Sequence, residues 1–240
     1  MLARNAEPRR PQFTSSQSSA EEPRHKENFA TVQSSAAVSS VTLYRLASVA
    51  GAGSALILLV NAAKRSSLIP TTDLTQILAP LAEILALGLV VGLFFAFGRR
   101  AGLFGTIAFV INFIALASLE GVEVVINLVF SKLPLATIID LRGGPLGLVL
   151  VVSSFLFLFG TLAFVISLAV GRAVPRIPLA LYFIGAVPIA LRVFVPEWAL
   201  DLGLVILATA IAWLARWLWI RASTIDDLRP ENVTTFAPQN

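Results

Sequence analysis

LAEILALGLVVGLFFAFGRRAGLFGTIAFVINFIALASLEGVEVVI, residues 81 to 126, holds two long apolar runs hinged on Arg99 and Arg100. Each run approaches the length of about 20 residues that a helix needs to cross a hydrocarbon core about 30 Å thick. The whole 240-residue chain follows suit, with 57% hydrophobic and 13% charged residues, against roughly 45–50% and 25% in soluble domains. Backbone polar groups in lipid must be satisfied within the protein, which restricts spanning structures to helices and closed barrels. The sequence therefore reads as all-α, a polytopic transmembrane bundle.

Working outward, the apolar blocks predict six spans. The first covers about Leu43 to Ala63 and the second about Leu74 to Phe97. The third begins near Ala101 and fades between Leu119 and Phe130. A loop with Pro134, Asp140, Arg142, Gly143, Gly144 and Pro145 leads to the fourth, about Leu146 to Val170; the fifth is bracketed by Pro178 and Pro196, and the sixth covers about Trp198 to Ile220. The domain so defined, 41–221, lies between a Ser-rich tail, 1–40, and a short polar tail, 222–240. The first tail has too little apolar surface to offset its ordering entropy and reads as disordered. It lacks the apolar core of a secretory signal, and Glu7, Glu21, Glu22 and Glu27 argue against an acid-poor transit peptide.

Lys and Arg flanking spans favour the cytoplasm. With the amino terminus inside, Arg24, Lys26, Arg45, Arg99, Arg100, Arg172, Arg176, Arg216, Arg221 and Arg229 face inward, and Lys64, Arg65, Lys132, Arg142 and Arg192 face outward, ten against five. The expectation is a multi-pass plasma-membrane protein with both termini cytoplasmic. Trp213, Trp217 and Trp219, beside Arg216 and Arg221, read as anchors at the inner interface, where amphipathic indoles prefer to sit.

Small residues are the natural contact points between membrane helices, because lipid tails remove the hydrophobic drive for association. Gly88 and Gly92 in the second span, with Ala47 and Gly51 in the first, read as packing seams. Contacts within one bundle are the favoured use, and a homo-oligomer through the same faces is the other. Pro80 and Pro188 fall inside spans, where each removes a backbone donor.

The carboxylates are the unusual feature. Counted from Ala101, Glu120 lies nineteen residues along the third helix, or about 28 Å, near the outer boundary, so Glu120 and Glu123 are expected to reach outer-leaflet water. Glu83 lies deeper and should face the bundle. Arg192 and Asp201 come from the same outer half, so Glu83, Glu120, Glu123 and Asp201 can gather around Arg192, with Asn112 and Asn127 as neutral company. Such a cluster is either a structural ion pair, Arg192 with Glu83 or Glu120, or a site for a proton, cation or cationic cargo. The first reading is favoured because one base and a nearby acid satisfy each other without a cargo.

Enzymatic chemistry finds little support. Cysteine is absent and His25, in the tail, is the sole histidine, which removes thiolate nucleophiles, Cys or His metal clusters and histidine acid–base catalysis in the membrane. No P-loop, HExxH or nucleophile elbow is present, and no cofactor or metal is implied. The net charge of +4 comes from cations flanking apolar blocks, where they meet lipid headgroups and not nucleic acid.

LYRLASVAGAGSALILL in the first span, the stretch 81–126, LFLFGTLAFVISLAVGRAVPRIPLALYFIGAVP across the fourth and fifth, and the tryptophan-rich last helix together resemble a loose group of uncharacterised bacterial six-span integral membrane proteins of actinobacterial type. The resemblance covers about residues 43 to 221 and rests on short basic turns between apolar helices. It implies a six-helix inner-membrane bundle and carries over no catalytic residue. The leading expectation is a structural or accessory membrane component, and the alternative is a small transporter or channel using the acidic cluster.

Overall fold

Every element of the computed structural model among the described residues, 40–227, is helical. In chain order these are α1 (Ser40–Arg65), α2 (Asp73–Ala96), a 3-10 turn (Gly98–Ala101), α3 (Gly102–Val124), a π-helical turn (Val125–Val129), a second 3-10 turn (Phe130–Lys132), α4 (Leu135–Gly143), α5 (Pro145–Val170), α6 (Arg176–Ala190) and α7 (Glu197–Asp227). Five helical stretches, Ser40–Arg65, Asp73–Ala96, Gly98–Lys132, Pro145–Val170 and Glu197–Thr224, are long and apolar enough to cross a membrane. The expected tails fall outside the described residues except at Ser40, which starts α1, and at 222–227, where α7 runs on well past Ile220.

Two expectations need correction. The stretch between the third and fourth spans, read as a loop, contains the nine-residue helix α4, whose Leu135 and Ile139 are exposed. Pro134 precedes it in an extended conformation, and proline at a helix start removes only an N–H that has no partner there. The stretch expected as the fifth span holds a 15-residue helix that begins before Pro178 and stops well short of Pro196, and it is not among the five long enough to cross. Pro178 falls in its first turn, where the missing donor does no harm, and the chain turns after Ala190 through a 2.7 Å bond from the Phe194 N–H to the Leu191 carbonyl. At 1.5 Å per residue α6 is about 22 Å long.

Consecutive transverse helices run antiparallel. On α2, Gly88 faces Ala50 of α1 while Gly92, one turn later, faces Ala47. A methyl group at Gly92 would overlap the Ala47 Cβ, so glycine lets these two backbones approach. Across α1 and α7, Arg45 lies over Trp219 at one end and Arg65 pairs with Glu197 at the other. Phe94 of α2 stacks on Phe109 of α3 at 4.0 Å, and at the far end Lys132 reaches Asp73 at 2.8 Å. Gly160 of α5 sits over the Asn112 backbone of α3. A further close seam joins α6 to α7: a Cβ on Gly185 would lie 2.5 Å from the Leu207 nitrogen, and Gly203 packs on Pro188.

The core between these seams holds Leu58, Leu89, Leu116, Phe157, Phe164, Leu179, Leu214 and Leu218. Outside it, Leu46, Leu56, Ile84, Leu148, Val152 and Phe159 are exposed. Patches of that kind are unusual on a soluble monomer and suit a surface in contact with lipid tails. The chain is thus a helical membrane protein.

Replacing Gly185 by Leu should separate α6 from α7 and lower stability by about 1–3 kcal/mol, the usual range for overpacking. Gly121→Ala, at a site where an added Cβ meets nothing within 4 Å, should be neutral or stabilising, as alanine is the better helix former. Thermal melts of both variants in detergent check the contrast.

Candidate functional site at the acidic end

The antiparallel packing sorts the charges. Arg45, Arg99, Arg100, Arg172, Arg176, Arg216 and Arg221 lie at one end, and between residues 40 and 224 no carboxylate joins them. Asp73, Glu120, Glu123, Asp140, Glu197 and Asp201 lie toward the other end with Lys64, Arg65, Lys132, Arg142 and Arg192, and Glu83 lies deeper on the same side.

A continuous polar chain is built there. At the end of α1, the Lys64 ammonium donates to Asn127 Oδ1 at 2.9 Å. Asn127 Nδ2 donates to the Glu123 carboxylate at 2.8 Å and to the Glu123 main-chain carbonyl at 3.0 Å. Arg192, in the turn after α6, donates through Nη1 to Glu123 Oε1 at 2.7 Å. The π-helical turn carries Asn127. It leaves the main-chain bond pattern of an α-helix, as such turns do, and here an amide side chain takes up the Glu123 carbonyl. Lys64, Glu123 and Asn127 are each at most 8% exposed. Glu123 is therefore not a carboxylate reaching outer water, and its partner is Arg192, which the sequence reading gives to Glu83 or Glu120.

A second group forms beside it. Arg65 pairs with Glu197 and lies 3.3 Å from Asp201. Asp201 is thus drawn to α1 and not to Arg192, because α7 packs along α1 and presents its first turns to the last turn of that helix. The Lys132 contact with Asp73 is exposed on both sides and is worth little.

Glu83 is buried on the inner face of α2. It lies within electrostatic range of Glu123, Arg192 and Glu120, with Tyr182 of α6 also nearby, yet no described residue gives its carboxylate a hydrogen bond. Glu120 is half-buried and also makes none. Asn112, expected near the acids, lies about 12 Å before Glu120 along α3 and accepts from Thr161 at 3.3 Å.

Gly88, Gly92, Ala47 and Gly51 all lie in the seam between α1 and α2, with Gly51 also touching Ala215 of α7. These faces are occupied within one chain. Trp217 packs on Phe97 at 4.7 Å with Arg221 over its ring, whereas Trp213 and Trp219 are exposed beside Arg216 and Arg45 at the arginine end. Among the described residues, no group of three or more His, Cys, Asp or Glu could hold a metal ion.

Sequence reasoning missed Lys64 and Arg65 as members of this site and treated them as loop cations. Their signal was positional, since a Lys–Arg pair ending the first helix lies level with the acids of the third and sixth expected spans. No family model matches the chain, and no curated protein or solved structure matches it.

Removing one member of a buried ion pair strands the other and typically costs about 3–5 kcal/mol. Arg192→Gln and Glu123→Gln should each lower the melting temperature markedly, and the double variant should fall by much less than their sum. A double-mutant cycle measured by thermal unfolding checks this coupling.

Proposed function

We propose that this protein is a non-enzymatic structural or accessory component of a bacterial plasma membrane, threaded six times with both termini in the cytoplasm. The observation that carries the reading is the closed chain Lys64–Asn127–Glu123–Arg192. Its two cations, one carboxylate and one amide are joined by hydrogen bonds across α1, α3 and the turn after α6, as expected where polar groups set helix register.

For six crossings, α6 must count as a span. It leads from the end holding Arg172 and Arg176 to the end holding Arg192, flanked by α5 and α7. A short helix is accommodated by local thinning of the bilayer at a modest cost per ångström. An arginine end that gathers no carboxylate between residues 40 and 224 favours the cytoplasmic side, and an even number of crossings returns both termini to it.

One observation favours a second reading, a small transporter for protons or cations. Glu83 is a buried carboxyl without a hydrogen bond from a described residue, close to a second acid and an arginine. Ionisable groups so placed in membrane helices often serve transport.

Reconstituted into liposomes under an imposed proton or potassium gradient, the protein should leak no faster than empty vesicles, and Glu83→Gln should leave that baseline unchanged. Gradient-driven flux that Glu83→Gln abolishes while melting is unchanged would establish the transporter instead. Because the chain has no cysteine, single cysteines report topology without background. Leu68→Cys and Pro196→Cys should react with an impermeant maleimide on intact cells, and Arg176→Cys and Ser223→Cys only after permeabilisation.

A further inference from the structure

An apolar opening at the acidic end borders the polar chain at Arg192. A cavity of about 170 Å³ lies between α3, α5 and the turn after α6. Its walls include Ile126, Leu150, Phe155 and Phe194, and its two cationic side chains are Arg142 and Arg192. An apolar cavity of about 150 Å³ is large enough for a benzene ring, so this one accepts a stretch of hydrocarbon.

The two guanidinium groups are not equivalent. Arg192 is already neutralised by Glu123 at 2.7 Å. Arg142 is exposed, rests over the Phe130 ring at 5.5 Å, and pairs with no carboxylate among the described residues. Its position is built into the fold. A side chain at Gly147 would collide with the Arg142 carbonyl, so glycine there lets α4 fold back over the start of α5 and sets Arg142 at the rim. From Gly147 to Phe155 the cavity follows α5 for about 12 Å.

The surroundings identify the direction of entry. Val151 and Phe155 on α5, and Val193 and Phe194 after α6, are both cavity wall and exposed surface, so the opening faces the region of lipid tails. On α4, exposed Leu135 and Ile139 beside Asp140 and Arg142 suit a helix lying at headgroup level. An uncompensated cation above a laterally open apolar slot is complementary to a lipid with an uncompensated phosphate.

We propose that this cavity binds one acyl chain of an anionic phospholipid, with the lipid phosphate on Arg142. The site is independent of whether the protein is a structural component or a transporter. Binding follows from apolar burial and one charge-assisted contact, which for arginine and phosphate forms a planar, two-pronged hydrogen-bonded pair.

The test is native mass spectrometry of the full-length protein released from a neutral detergent, with phosphatidylglycerol or phosphatidylcholine added. Wild type should retain one phosphatidylglycerol and gain thermal stability from it, whereas phosphatidylcholine should do neither. Arg142→Gln should lose the adduct and the stabilisation. Lys132→Gln, which removes another exposed cation at the same end but outside the cavity, should keep both. Val151→Phe should fill the slot and expel the lipid, with Ser154→Leu as the second filling variant if the first does not fold. Equal retention of phosphatidylcholine, equal losses in Lys132→Gln and Arg142→Gln, or an adduct that survives filling would overturn the proposal. So would retention of a free fatty acid with phosphatidylglycerol ignored.

Discussion

Helices surrounded by hydrocarbon gain nothing from hiding leucine from leucine, so their association depends on how closely their backbones can approach. In this protein that constraint is met at a few small residues: Gly92 against Ala47, Gly160 over the Asn112 backbone, and Gly185 against Leu207. Each contact also fixes a register, because a helix seated on a glycine cannot slide by a turn without driving a side chain into its neighbour. The placement of every charge follows from those registers.

The polar chain is their clearest product. With α1 locked to α2 and α7, its last turn brings Lys64 level with the π-helical turn and Arg65 level with the first turns of α7. With α6 locked to α7, the turn after α6 carries Arg192 to Glu123. A buried ion pair is weak evidence for stability by itself, since desolvation consumes much of the attraction. Glu123 answers this by accepting from Arg192 and Asn127 together, and Asn127 in turn accepts from Lys64. The charges are shared across three segments of the chain rather than held in one pair.

The class of fold was legible from apolar run lengths, and the turn at Arg99 and Arg100 separates two helices as its charge requires. Position along each helix was legible as well, because residue counts convert directly to ångströms. The depth estimates gathered Glu83, Glu120, Glu123, Arg192 and Asp201 into one half of the bundle, and that is where they lie. Direction around each helix axis was not legible. Glu120 and Glu123 sit less than one turn apart, and only packing decides that Glu123 points to Arg192; likewise Asp201 turns to Arg65 because α7 lies along α1. The short helix α4 was hidden by the prolines and glycines at its borders, which read as a loop although LATIIDLRG between them is long enough for two turns. The cavity beneath Arg142 was equally invisible, since it depends on that helix folding back at Gly147.

The π-helical turn at Val125–Val129 has a consequence for the chain's tolerance of length change. Its wide loop is closed by the Phe130 N–H reaching the Val125 carbonyl, which accommodates one residue more than an α-helical turn would. Deleting a single residue there would rewind the segment and rotate everything after it by about 100°. Phe130 would swing out from beneath Arg142, and Lys132 would leave Asp73. This stretch thus sets a phase as well as a length, and an indel that a surface loop absorbs without effect would here misalign the whole acidic rim.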